Sequence, residues 1–557
     1  MLLEALGTAR DLGRLHEITS VLIRFGFGDV VRRLGLGKAL ESTGRMLHWK
    51  EAEELARLEP PQRIRRALED MGPSFVKLGQ ILATRADLLP PEYIAEFAKL
   101  QDHAPPVAFE TLEAQLTEEL GAPLAEVFAE VDRYPLAAAS VAQVHRGVLK
   151  TGEQVILKIR RPGIRKIVDA DLRLLKRLAE IAEEEIEESR HFRPKEIAAE
   201  FARSMRRELD LAAECRTAER IADSFRDDEN IVVPKVYWQW TSESLNVQEY
   251  IDGIPGRDMA AVDVAGLDRK LLAQRGANAV LKMVFEDGFF HADPHQGNVF
   301  YLPGNKIVFI DFGMAGQLSD RRRNQLVDLL FGIVERKVER VVEILLGWSK
   351  PSQIDEDALN IEIDAFIDRI HGVPLKSLDL TALIADLTTL LREYRLMLPA
   401  DLTLLTKAFV SLEGMGRQLD PDYDLITAIG PFLNRVVLQR YTPQALARRG
   451  REGLSDALEL MGSLPYDLRK LIKLAQKGDL QLKLDVQGLD QFASRLDRIA
   501  GRLTIGIVIA ALIMGSSIVM TAAGGQIPIG LSFFTMVGFF IAVLGGLWII
   551  ISIWRGR

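Results

Sequence analysis

The chain has 557 residues, enough for about three or four domains of ordinary size, and its 48% hydrophobic content supports sizeable cores. A net charge of −8, from 70 basic and 78 acidic residues, offers no overall attraction to nucleic acid, so we expect no nucleic-acid partner. The single cysteine, Cys215, excludes an internal disulfide and gives no sign of an oxidising compartment.

The N-terminal part of the chain is predicted to be helical. Glu4 and Asp11 come before any long apolar run, which argues against a secretory signal and a transit peptide. We predict amphipathic helices over 1–60, followed by a helical extension over 61–130 that three Pro-Pro pairs interrupt.

One helix of this extension has a distinct polar face. Pro73 suits the first turn of a helix. Lys77, Gln80 and Thr84 then fall on one face at i, i+3 and i+7, while apolar residues fall on another. Composition alone therefore indicates an amphipathic helix with a solvated polar side.

The middle of the chain changes from mixed to helical structure. We predict a mixed lobe over 131–265 and a helical lobe over 266–445, followed by a charged helical connector over 446–502. Short β-branched or apolar runs predict strands at 155–159, 231–236, 245–250, 299–301 and 307–310. Strongly helical sequence covers 180–214.

The strongest chemical signal is the segment 291–298, His-Ala-Asp-Pro-His-Gln-Gly-Asn, together with Asp-Phe-Gly at 311–313. An Asp followed five residues later by Asn, then by a strand, a turn, a strand and Asp-Phe-Gly, is the phosphoryl-transfer layout of protein kinases. Because Mg²⁺ prefers oxygen ligands, we assign it to Asn298 and Asp311. Asp293 would orient a hydroxyl or a water and take its proton.

Lys158, in the run Val-Ile-Leu-Lys, resembles the kinase strand lysine that holds the α- and β-phosphates. Its partner should be an acid on the helix predicted over 194–225. At about 100° per residue, Glu208 and Asp210 point about 200° apart, whereas Asp210 and Glu214 share a face. On a regular helix the three acids cannot all face one pocket.

The C-terminal segment 503–554 contains no Asp, Glu, Lys, Arg or His. A spanning helix needs about 20 apolar residues, so the segment fits two helices, over about 503–522 and 531–554. Basic residues flank it at 495, 498, 502, 555 and 557. Since basic flanks stay on the cytoplasmic side, we expect a transmembrane hairpin with the preceding chain in the cytoplasm, rather than a hairpin buried in a soluble core.

These motifs resemble the UbiB/AarF family of atypical kinases, called the ADCK family in animals. Lys77-Leu-Gly79-Gln80 matches its KxGQ signature, and Glu208-Leu-Asp210 matches its ExD signature. The run 137–140, Ala-Ala-Ala-Ser, matches the alanine-rich loop that replaces the glycine-rich loop of ordinary kinases. The resemblance is dense over about 60–330, and the two-span tail also looks like bacterial members.

The resemblance implies an α+β, protein-kinase-like two-lobe fold with a helical N-terminal extension and a two-helix transmembrane hairpin. It implies that the KxGQ helix covers the active site, and with the helix angles it favours Glu214 for Lys158 and Glu208 for Lys77. The expected catalytic residues are Asp293, Lys158 and Lys77. The expected nucleotide-binding residues are Ala137, Ala138, Ala139, Ser140, Val144, Lys158, Glu249, Tyr250 and Ile251. The other expected motif residues are Gly79, Gln80, Glu208, Asp210 and Glu214.

Two departures from ordinary kinases bear on activity. Alanine adopts positive φ less readily than glycine, so the loop at 137–139 should be stiffer. A charged helical run follows Asp311-Phe-Gly closely, with no Ala-Pro-Glu motif, which favours a small molecule, a lipid or water as acceptor over a protein. The resemblance implies weak protein-kinase activity and use of ATP or ADP with Mg²⁺.

The family also implies a role in ubiquinone or related isoprenoid-quinone biosynthesis, at the bacterial inner (plasma) membrane. A membrane lipid or quinone precursor is the expected partner, with other quinone-biosynthesis proteins and a homodimer as further candidates. Two alternatives stay open: a small-molecule or lipid phosphotransferase, and a nucleotide-sensing membrane scaffold.

Overall fold

The computed structural model describes residues 9–28, 31, 58–100, 104–185, 187–349, 354–371 and 379–440. Both the predicted connector at 446–502 and the predicted transmembrane hairpin at 503–554 lie outside these ranges. Within the ranges, no helix combines the length and the apolar character that crossing a bilayer requires.

The N-terminal helices share a small hydrophobic core with a later helix. Their bounds are α1 Ala9–Arg24, α2 Pro60–Met71, α3 Pro73–Leu82 and α4 Pro91–Phe97. As predicted, α3 begins at Pro73 and buries Phe75 on its apolar side. Leu15 of α1 belongs to the same buried cluster, which also contains Leu174 of a later helix. The extension is therefore packed against the rest of the fold along one side.

The first lobe is built on an antiparallel sheet. Its elements are α5 Phe109–Leu120, α6 Leu124–Val127, β1 Phe128–Val131, β2 Ala137–Ala138, β3 Ala142–Leu149, β4 Gln154–Arg160 and, further along the chain, β6 Leu245–Glu249. The strand order is β1-β3-β4-β6, with β2 paired to β3. Lys158 sits at the centre, opposite Val144 on one side and Asn246 on the other. Val155, Leu157 and Ile159 alternate with it and are fully buried.

The segment 180–214 is largely helical, as predicted, but the single helix predicted over 194–225 is interrupted. The chain forms α7 Ile164–Glu185, a short 3₁₀ segment Glu187–Phe192, α8 Pro194–Glu208 and α9 Leu211–Ser224. Pro194 begins α8, as proline does at a first helical turn. Asp210 lies between α8 and α9 with extended backbone, and its side chain accepts a hydrogen bond from the backbone N–H of Ala213. This N-cap explains the break, because Asp satisfies the free donors of a new helix.

The second lobe combines a small sheet with helices. Its strands are β5 Ile231–Val232, β7 Ile254–Pro255, β8 Phe289–His291, β9 Val299–Leu302, β10 Lys306–Phe309 and β11 Ala315–Gln317. One sheet has the order β5-β10-β9-β7, and β8 pairs antiparallel with β11. The strand β5 is shorter than the predicted 231–236.

Helices enclose these strands. They are α10 Met259–Val264, α11 Arg269–Lys282, α12 Asp320–Val334, α13 Val338–Ser349, α14 Glu356–His371, α15 Leu380–Glu393, α16 Ala400–Leu419 and α17 Leu425–Arg440. Leu272 of α11 and Leu412 of α16 are fully buried in one core cluster. The segment from Asp311 to the start of α12 is short and includes β11, so it leaves no room for the long activation segment of protein kinases.

Gly79 is a packing residue of α3. A Cβ at this position would overlap Leu100 Cδ1 and would lie 2.9 Å from Leu68 Cδ1. Because overpacking a core costs about 1–3 kcal/mol, Gly79→Ala should lower the free energy of unfolding by that amount. Urea or thermal unfolding measures the change.

Gly414→Ala is the matched control, since a Cβ on this residue of α16 meets nothing within 4 Å. It should leave stability unchanged or raise it by about 0.5–1 kcal/mol, as Gly→Ala does inside a helix. Equal effects of the two substitutions would contradict the packing role of Gly79.

Candidate active site

A cavity of about 880 Å³ lies between the first sheet, α3, α8, α9 and the loops of the second lobe. Most residues that the sequence nominated line its wall, namely Lys77, Gln80, Ala137, Ala139, Val144, Lys158, Glu208, Glu214, Glu249, Tyr250, Ile251, Asp293, Asn298 and Asp311. Four nominated residues do not line it, namely Gly79, Ala138, Ser140 and Asp210. The fold thus brings motifs that are more than 200 residues apart, from Lys77 to Asp311, to one cavity.

Lys158 is held between two carboxylates. Its Nζ lies 2.9 and 2.8 Å from the two oxygens of Glu214 and 3.7 Å from Asp311 Oδ1. Burial alone would lower the pKa of Lys158, but Asp311 and Glu214 together raise it. Lys158 in turn lowers the pKa of Asp311 to about 2 against the effect of burial. The lysine and Asp311 are therefore both charged at neutral pH.

Glu214 is the acid that the family resemblance, together with the helix angles, favoured for Lys158, and the structure contains this pair. Burial raises the pKa of Glu214, and Lys158 opposes that rise. The pair therefore stabilises a carboxylate that burial alone would favour in the neutral form.

Lys77 forms the second predicted pair. Its Nζ donates a 2.8 Å hydrogen bond to Glu208 Oε1. Glu208 ends α8 and Glu214 lies in the first turn of α9, so the two acids reach different lysines across the break at Asp210. The break removes the geometric conflict that a regular helix would have imposed. Asp210 itself serves as the helix cap and also accepts a hydrogen bond from Arg216.

Gln80 and Thr84 continue the polar face of α3 along the cavity wall. Gln80 Nε2 donates to the carbonyl of Leu100, which anchors the side chain to the following loop. The polar side of α3 therefore faces the cavity rather than open solvent.

The alanine-rich loop is tied down by backbone hydrogen bonds. Ala137 and Ala138 form β2, and Ala139 N donates to the carbonyl of Ala142. Arg161 donates to the carbonyl of Ala139, and the Ala104 N–H donates to the carbonyl of Ala138. Positive φ occurs at none of the three alanines. The loop therefore needs no glycine for the conformation it adopts.

The loop at 291–298 brings Asp293 and Asn298 to the cavity. Asn298 Nδ2 donates to the backbone carbonyl of Asp293, which directs the amide oxygen away from that contact. His291 is fully buried, and burial lowers its pKa, so its ring is neutral. Asp311 has a left-handed backbone with φ of 57°, a conformation uncommon outside glycine and concentrated at functional sites.

The oxygen donors at this site suit Mg²⁺. Asp311 offers a charged carboxylate and Asn298 an amide oxygen, both on the cavity wall. Within the described ranges, no cluster of three His, Cys, Asp or Glu side chains forms a metal site. Mg²⁺ is usually held by one or two protein oxygens together with phosphate oxygens and water, so this donor set fits a metal that arrives with a nucleotide.

Lys407 is a site residue that sequence reasoning missed. It lies on α16, far along the chain from the kinase motifs, and its Nζ is 3.0 Å from Asp293 Oδ2. It also lines the cavity and lies 3.3 Å from Met314 Sδ. The sequence of α16 is that of an ordinary amphipathic helix, and it contains no motif that would identify Lys407 as a site residue.

The electrostatic account of Lys158 can be tested through the pH dependence of protein stability. In Lys158→Met, Glu214 loses the cation that opposes the effect of burial, so its pKa should rise further. The folded variant then binds more protons than its unfolded state, and its stability should fall as pH rises from about 5 to 8. Melting midpoints of the full chain across this range, compared with those of the unsubstituted protein, measure the effect.

The double variant Lys158→Met, Glu214→Gln is the control for that pH dependence. It removes the carboxylate of Glu214, so its stability should depend on pH less than that of Lys158→Met does. The pH dependence that remains comes from Asp311, whose pKa Lys158 also lowers. A pH dependence in Lys158→Met equal to that of the unsubstituted protein would contradict the electrostatic account.

Comparison with known proteins identifies the family. Three family models match: the ABC1 atypical kinase-like domain over residues 99–345, the UbiB helical domain over 363–424, and the ABC1/UbiB kinase-like C-terminal domain over 487–555.

Individual relatives match over most of the chain. A protein of Pseudomonas putida named "Probable protein kinase UbiB" is 35% identical over 509 residues, covering 89% of this chain and 93% of that protein. A protein of Vibrio vulnificus with the same name is 33% identical, covering 92% and 95%. An uncharacterised protein of Synechocystis is 33% identical, covering 82% and 79%. The chain belongs to the UbiB/ABC1 family of atypical kinases, and its fold is kinase-like.

Proposed function

We propose that the protein is an ATP-dependent atypical kinase or ATPase that binds a Mg-nucleotide and supports ubiquinone or related isoprenoid-quinone biosynthesis. The observation that carries the proposal is the convergence of Lys158, Asp293, Asn298 and Asp311 on one cavity. These residue types hold phosphates, a divalent metal and an acceptor hydroxyl in phosphoryl transfer. The name of the relatives supports the quinone role.

In this proposal each side chain has a distinct task. Lys158, oriented by Glu214, binds the phosphates that the nucleotide places in the cavity. Asp311 and Asn298 would hold Mg²⁺, which neutralises phosphate charge when bound. Asp293 accepts the proton of the acceptor hydroxyl or water while the acceptor oxygen bonds to phosphorus and the nucleoside diphosphate leaves with the bridging electron pair.

The nucleotide's base and phosphates would be covered by the first lobe. Glu249, Tyr250 and Ile251 line the cavity at and just after the end of β6, and Val144 lines it from β3. The alanine-rich loop, to which we also assign Ala138 and Ser140, would lie over the phosphates, and because it is stiffer it would adjust to them less than a glycine-rich loop does.

The acceptor in this proposal is a lipid, a small molecule or water. Support comes from the short segment between Asp311 and α12, where protein kinases dock peptides. The position of α3 further supports a non-protein acceptor, because this helix, through Lys77 and Gln80, covers part of the cavity. We place the protein at the bacterial inner membrane, with a quinone precursor as partner, on the basis of the charge-free segment 503–554.

Asp311→Asn tests the metal assignment. The substitution removes one charged metal ligand, so Mg-dependent nucleotide binding should be lost and turnover should fall by about 10²-fold or more. Titration with a fluorescent nucleotide, with and without Mg²⁺, measures the binding. Asp263→Asn, which removes an exposed carboxylate paired with Arg269, is the matched control and should bind as the unsubstituted protein does. Mg-dependent affinity that survives in Asp311→Asn would contradict the assignment.

Product analysis tests the acceptor. Purified full-length protein is given ATP and Mg²⁺ with and without anionic liposomes and a phenolic prenyl-lipid analogue. If a membrane-bound precursor is the partner, turnover should rise when the liposomes and the analogue are present together. Phosphate found in solution indicates hydrolysis, and phosphate found on the analogue indicates a kinase. Nucleotide bound with no turnover under any condition would contradict the enzyme and favour a scaffold.

A further inference from the structure

Lys407 supplies a positive charge to Asp293 from outside the kinase-like domain match. It belongs to α16, within the region that matches the UbiB helical domain, whereas the kinase-like match ends at residue 345. Its Nζ lies 3.0 Å from Asp293 Oδ2, and its side chain is one-quarter exposed. The same Nζ lies 3.3 Å from the sulfur of Met314, directly after Asp-Phe-Gly. Lys407 therefore contacts both the loop of Asp293 and the segment of Asp311.

The other two lysines on the cavity wall have different partners. Lys158 binds Glu214, and Lys77 binds Glu208. The loop 293–298 contains no Lys or Arg, and His295 Nε2 is 3.9 Å from the same oxygen of Asp293. Among the residues that the structure describes, the ammonium of Lys407 is therefore the closest cationic contact of Asp293, the carboxylate to which we assign the acceptor proton.

The contact is not needed to hold α16 in place. Leu402, Leu405, Ala408 and Leu412 of this helix are buried in the main core. A partly exposed ion pair adds little to stability compared with such burial. Because core packing already fixes α16, the helix holds Lys407 rigidly beside the loop 291–298. Functional groups on rigid elements are positioned more accurately than those on loops.

We propose that Lys407 is the positioning residue of Asp293, a role that rests on the proposed phosphoryl transfer. Lys407 holds Oδ2 of the carboxylate, which leaves Oδ1 to accept the proton of the acceptor hydroxyl or water. Orientation of a base matters because a displacement of about 1 Å can cost about 10²-fold in rate. The helical region thus contributes a functional group to the kinase-like site.

Substitution of Lys407 in the full-length protein separates positioning from binding. Lys407→Met should reduce turnover by about 10²-fold, while Mg-nucleotide affinity stays within about threefold, because the metal ligands and Lys158 are unchanged. Lys407→Arg keeps the charge and should recover part of the rate. Arg417→Met is the matched control on the same helix, since Arg417 binds Asp379 and Glu413 away from the cavity. It should turn over as the unsubstituted protein does.

Chemical rescue by amines distinguishes the two possibilities, because turnover would not be restored if Lys407 had only a structural role. In Lys407→Ala, methylammonium or ethylammonium can occupy the space of the missing ammonium and should restore turnover at least about fivefold in a saturable manner. Tetramethylammonium, which donates no hydrogen bond, should not restore it. The same amines should have no effect on Asp293→Asn, which lacks the carboxylate to be positioned.

The outcomes divide clearly. Full turnover in Lys407→Met, absence of amine rescue, or a rate loss matched by an equal loss of nucleotide affinity would overturn the inference while the proposed function stands. An unsubstituted protein that binds no Mg-nucleotide would overturn the proposed function, and this inference with it. Lost turnover with retained affinity and amine rescue supports both.

Discussion

The structure depends on compensating the charge of a lysine inside the first lobe. Lys158 extends from the centre of the sheet toward the cavity, where burial disfavours its charged form although its side chain is 21% exposed. Glu214 supplies the opposite charge, and Asp311 extends the arrangement into the second lobe. A contact between charges from both lobes therefore joins the strand of Lys158, the helix of Glu214 and the segment of Asp311 at the cavity.

Much of the site could be predicted from the sequence because the residue types and their spacing within each motif indicate both a local structure and a chemical role. The spacing of Asp293, Asn298 and Asp311 fixes a loop, a strand pair and a second loop, and the structure forms these strands. The family resemblance, together with the helix angles, favoured the pairing of Lys158 with Glu214, although the helix was predicted to be continuous. The predicted pairs, Lys158 with Glu214 and Lys77 with Glu208, are nevertheless present, because the two acids lie on opposite sides of the break.

Other features could not be predicted from local patterns. The helix break depends on Asp210 acting as a cap, and Asp within a charged helical run gives no strong signal of this. The position of Lys407 beside Asp293 depends on how α16 packs against the second lobe, a tertiary contact without a motif. The packing role of Gly79 likewise became evident from its neighbours Leu100 and Leu68, whereas the signature alone suggested a residue at the active site.

The short segment after Asp311 has a consequence for control. Protein kinases are commonly switched when phosphorylation orders a long, mobile activation loop. Here β11 pairs with β8, and the Leu318 N–H donates to the carbonyl of Gly288, so the chain is already bound to the lobe before α12 begins. No long loop remains in this segment to be switched between ordered and disordered states. A signal that switches activity would therefore have to act on another part of the molecule, such as α3 and α16, which line the cavity from outside the kinase-like domain match.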